Sequence, residues 1–70
     1  MAKTKSLDER LFGAAVLKMS FRLRGAEGSA AFTGIYPGVL RDLQLDDDTV
    51  ERYIQEHQVE VETAARGTPP

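Results

Sequence analysis

An all-α domain of three short helices, small and oligomeric, is the fold that the sequence predicts, and three observations predict it. Apolar side chains recur at three- and four-residue spacing in two long segments. Capping residues stand ahead of both, and most glycines and all prolines fall between or beyond them. The alternative is an α+β arrangement with a hairpin at residues 16–35.

The first helix is expected over residues 7–24. Ser6 followed by Glu9 has the spacing of a capping box, in which the serine oxygen accepts from the third helical amide and the glutamate reaches back. Arg22 and Arg24 suit the negative end of the helix dipole, and Gly25 suits the stop. Phe12, Ala15, Val16, Met19 and Leu23 form one apolar stripe, while Ala14, Leu17 and Phe21 form a second on another side. Two apolar faces imply two packing partners, or one face left for another chain. The hairpin alternative arises because Leu17, Met19, Phe21 and Leu23 alternate with Lys18, Ser20, Arg22 and Arg24. Helix is preferred there, since residues 17–23 hold no β-branched side chain and Leu, Lys, Met and Arg favour helix.

Residues 25–38 hold four of the six glycines together with Pro37, and therefore read as an irregular connection. Pro37 suits the first position of a short second helix over residues 37–44, with Val39, Leu40 and Leu43 inward. The third helix is expected over residues 48–65, capped by Asp48 and carrying Val50, Tyr53, Ile54, His57, Val61, Ala64 and Ala65 on one face. A flexible basic N-terminus over residues 1–5, a single helical domain over 6–66 and a disordered tail over 67–70 complete the organisation.

Composition narrows the function classes. The chain has 70 residues, 41% hydrophobic and 29% charged, and no cysteine, which leaves neither disulfide nor thiolate metal site. A chain this short buries only about 60% of its unfolded surface, so oligomerisation is the remaining route to comfortable stability. The longest apolar run, residues 14–17, is far below the roughly 20 residues of a membrane helix. No signal-peptide core follows Lys3 and Lys5, and a cytoplasmic location is expected. Residues 1–24 carry a net charge of +4 and residues 46–62 a net charge of −6, an asymmetry that suits mutual attraction or charged partners.

Chemistry is sparse. His57 is the only conventional general base, and it stands on an apolar stripe, where packing explains it better than catalysis. Asp46, Asp47 and Asp48 lack the spacing of a calcium loop, and Gly25, Gly28 and Gly34 match no phosphate-binding fingerprint. No catalytic residue, cofactor or metal is expected. Residues 35–54, above all 43–54 with Thr49-Val50 opening a helix and Tyr53 near its close, resemble the helix-turn-helix motif of DNA-binding regulators. That resemblance implies a short helix, a turn and a reading helix, with Val39, Leu43, Leu45, Val50 and Tyr53 as its core. Leu40 and Gln44 depart from the small residue and the glycine that the motif usually has there. Asp46, Asp47, Asp48, Glu51 and Glu56 on the reading side would repel phosphates, leaving Arg52, Thr49 and Gln55 as base contacts. Lys18 and Arg22, one turn apart on the first helix, offer a second nucleic-acid surface.

The functional expectation is a non-enzymatic regulatory or adaptor protein acting by helix-mediated association, chiefly with itself, through Leu17, Phe21, Tyr53 and His57. A DNA-binding regulator using Lys18, Arg22 and Arg52 is the alternative, disfavoured by the acidic third helix. A small subunit of a larger enzyme complex is the third reading.

Overall fold

A computed structural model describes residues 6–67, which form four helices: α1 (Leu7–Leu23), α2 (Ala30–Leu43), α3 (Asp47–Glu56) and α4 (Gln58–Ala65). The fold is all-α, and no strand occurs among the described residues, so the hairpin alternative at residues 16–35 does not form. The expected N-terminal arm, residues 1–5, and the tail beyond Gly67 lie outside the described residues.

The first helix begins and ends as its caps dictate. The Ser6 Oγ accepts from the Glu9 amide at 3.2 Å, and the Ser6 amide donates to Glu9 Oε1 at 3.0 Å, completing the capping box. At the other end Gly25 takes φ +68°, and the Ala26 and Gly25 amides donate to the Phe21 and Arg22 carbonyls, the paired bonds of a Schellman closure.

The second helix differs from expectation. It starts at Ala30 rather than Pro37, with Ser29 Oγ accepting from the Phe32 amide at 3.2 Å. Residues 29–36, read as irregular because of their glycines and the proline, are therefore the cap and first turns of a helix. Pro37 lies inside that helix, where its missing N–H leaves the Thr33 carbonyl without its usual donor. Burial of Phe32 and Tyr36, one turn apart, outweighs the weak intrinsic propensity of the segment. Gln44 ends α2 in the left-handed region at φ 58°, a conformation more commonly given to glycine.

The expected third helix is two helices. Asp46, not Asp48, is its cap, accepting from the Thr49 amide at 2.8 Å and from the Thr49 hydroxyl at 2.6 Å. At His57 the backbone turns to φ −127°, ψ 37°, which ends α3 and starts α4.

The core gathers Leu11, Ala14, Ala15 and Met19 from α1 with Val50 and Ile54 from α3 and Val61 from α4. The buried side of α1 is thus rotated from the expected stripe, for Phe12 and Leu23 are 36% and 40% exposed. The reason is that α1 is central and packs against all three other helices. Its second apolar stripe, read as free for another chain, is covered within the molecule at two points: Ala14 is fully buried in the core, and the Phe21 ring lies 5.1 Å from Phe32 of α2.

Candidate functional site: an interhelical ion network and a neutral helix face

Lys18 and Arg22 on α1 are one turn apart, as are Asp47 and Glu51 on α3, so two ladders of opposite charge face each other where these helices meet. Lys18 is only 5% exposed. Its Nζ donates to Asp47 Oδ1 at 2.6 Å, pairs with the Glu51 carboxylate, and lies 5.2 Å from the centre of the Tyr36 ring. Arg22 binds Glu27 with Nε and Nη2, both at 2.9 Å, and Nη2 also donates to Glu51 at 2.7 Å. The Tyr36 hydroxyl donates to Asp47 Oδ1 at 2.7 Å, so Tyr36 joins α2 to this network through both its hydroxyl and its ring.

Each titration follows from that geometry. Desolvation pulls the Lys18 ammonium down, but hydrogen bonds and charges from Asp47 and Glu51 outweigh it and hold the group above 10.5. The Lys18 hydrogen bond is the largest influence on both Asp47 and Glu51, and both carboxylates sit below their ordinary range. The bidentate Arg22 contact holds Glu27 low as well. Burial first, then the neighbouring Asp47, raises the Tyr36 phenol and keeps it a neutral donor. Lys18 is therefore held as an ammonium with no lone pair to offer, and the network acts as a clamp between helices rather than as acid, base or nucleophile.

Other sequence-derived residues are dispersed. Leu17 and Phe21 are half-buried, Phe21 against Phe32 of α2, and the Arg24 guanidinium lies 5.3 Å from the centre of the Phe21 ring. Tyr53 stacks on His57 with ring centres 4.3 Å apart, and His57 Nδ1 is 3.0 Å from Glu60 Oε1. Burial, then the charges of Asp8 and Glu60, raises the Tyr53 phenol above 10.0. Arg52 is exposed, but Lys18, expected on a solvated face beside Arg22, is enclosed and committed to carboxylates. Likewise Asp47 and Glu51, expected to face a DNA groove, turn inward to α1. No group of three or more metal-ligating side chains occurs among the described residues, and no described helix is long and apolar enough to cross a membrane.

A second surface was not singled out from the sequence. Residues 28–40 contain no charged side chain, and α2 turns Ala31, Gly34, Ile35 and Pro37 outward, Ile35 being 49% exposed. The thirteen-residue gap in charge was its signal, masked by reading the same glycines as a loop. Comparison with protein-family models, curated proteins and solved structures returns no match.

Proposed function

We propose that this chain is a non-enzymatic association protein of regulatory or adaptor type, working in the cytoplasm, and that its first partner is a second copy of itself docked through the outer face of α2. The observation that carries this reading is the uncharged, exposed face of α2 with Ile35 at its middle. The chain carries eleven acids against nine Lys and Arg, with a net charge of −6 gathered in residues 46–62, so two copies repel where those acidic segments approach each other. The neutral face is a place where they meet without that cost. Two faces of a helix about 21 Å long cover on the order of 1,000 Å² in total, the lower bound of specific interfaces, which suits a reversible dimer.

Sedimentation equilibrium tests it: the average mass should climb toward a dimer across the micromolar range, and Ala31→Glu with Ile35→Glu should abolish the climb while helicity is unchanged. A wild-type protein that remains monomeric throughout would overturn the reading. DNA is the less supported partner, because Lys18 and Arg22 are engaged by Asp47, Glu51 and Glu27.

A further inference from the structure

We propose that the first two turns of α2, residues 29–36, form a hinged flap that opens as a unit while the rest of the fold stays closed. The flap carries Ala31 and Ile35 of the proposed docking face, so its test is read in the Ala31→Glu, Ile35→Glu protein as well as in the wild type, which separates failure of the flap from protection by self-association. The buried core belongs to α1, α3 and α4. The flap rests outside it, on a short aromatic column in which Phe21 meets Phe32 at 5.1 Å and Phe32 stacks on Tyr36 at 4.7 Å. The later part of α2 is fastened differently: Val39, Leu40 and Leu43 pack against the core, and Arg10 Nη1 donates to the Leu43 carbonyl at 2.9 Å.

Both ends of the flap are built to bend. On one side lie Gly25, already at positive φ, and Gly28. On the other, Pro37 interrupts the hydrogen-bond ladder and Gly38 follows it. An added Cβ at Gly34 or Gly38 would meet nothing within 4 Å, so no close packing inside the molecule calls for glycine at either position. Glycine there weakens the helix without improving its fit.

The electrostatics make opening separable. Lys18 and Arg22 are paired with α3 and with Glu27 of the preceding loop, and the flap supplies no ion of its own, only the Tyr36 hydroxyl to Asp47 and the Tyr36 ring beside Lys18. Lifting residues 29–36 therefore strands no ion without a partner, and α3 remains fastened to α1. What the motion uncovers is Phe32 and Tyr36 on the flap, both buried in the closed form, together with the covered side of the half-buried Phe21 on α1.

Native-state hydrogen exchange by NMR tests the flap. The amides of Gly34, Ile35 and Tyr36 should show protection at least about tenfold below those of residues 41–43, whose acceptors lie beyond the flap, with weak denaturant dependence. Gly38→Ala should raise protection at residues 34–36 by about fivefold, with a smaller rise at residues 41–43. Gly13→Ala, on the exposed side of α1, serves as control and should not narrow the gap between the two segments. Equal protection along α2 in the wild type, or an equal rise in both segments on Gly38→Ala, would overturn the proposal.

Discussion

Helices α2 and α3 are both laid against α1, yet they are held by opposite means. Helix α3 inserts Val50 and Ile54 into the common core and adds a charged clamp in which Asp47 and Glu51 grip Lys18 and Arg22. Helix α2 brings no charge over residues 30–40 and holds on through two aromatic rings, one of them beside Lys18, partly buried aliphatics, one phenol hydroxyl and the Arg10 bond to its last carbonyl. The difference separates two tasks. Charges and core side chains set the angle and register of α3, whereas α2 is left neutral, exposed and locally weak, the combination expected of an element that moves or meets a partner.

The comparison breaks most visibly at the core. Ile54→Ala should cost about 3 kcal/mol, read as a lower urea midpoint, and in so small a domain that loss threatens folding itself. A urea midpoint unchanged by Ile54→Ala would show that α3 does not hold the core.

Next comes the clamp. Lys18→Ala leaves Asp47 and Glu51 facing each other without their ammonium and should cost about 2 kcal/mol, below the usual figure for a broken buried pair because both carboxylates are partly exposed. Lys18→Met, which retains much of the stem's packing, should recover part of that loss.

Acid should loosen α3 by the same route. Asp47 and Glu51 have folded pKa values below their ordinary 3.8 and 4.5, so their contribution is complete above those values and disappears as pH falls through the lower, folded ones. At the alkaline end, Lys18 and Tyr36 are both raised, from 10.5 and 10.0. The Lys18 contribution is lost as pH climbs through its folded value, and the unfolded state gains by ionising Tyr36 above 10.0. Thermal melts should accordingly show no change from these groups between about pH 5 and 9 and a decline on either side. A midpoint that is unchanged down to pH 2 would refute the clamp.

The smallest effects belong to α2. Tyr36→Phe removes one hydrogen bond to a carboxylate that keeps Lys18, and should cost about 1 kcal/mol. Gly34→Ala, with open space at its Cβ, should stabilise by about 0.5–1 kcal/mol. A destabilising Gly34→Ala would show that something not evident in the closed monomer needs the gap.

Local rules were legible at many helix ends. Ser6 with Glu9, and Gly25, mark the limits of α1 through bonds that span only a few residues, and those bonds form. The two apolar stripes on α1 were legible but not what covers them: the second, expected to be left for another chain, has Phe21 against Phe32 of α2. The clamp was half-visible: Lys18 with Arg22 and Asp47 with Glu51 each show helical spacing, but nothing local says that residues 29 positions apart will face each other. The helix over residues 30–36 was hidden because Gly34, Pro37 and Gly38 argue against it locally.

By itself the sequence determined the helical class, the caps of α1 and the polarity of each segment, since these depend on backbone hydrogen bonding and side-chain period within a turn or two. Tertiary structure decided which face of α1 is buried, that His57 divides the last helical segment, and that an expected solvent-facing lysine is enclosed. Those outcomes turn on how much apolar surface each packing removes from water and on whether a buried charge finds an opposite one, sums that close only when all four helices are in place.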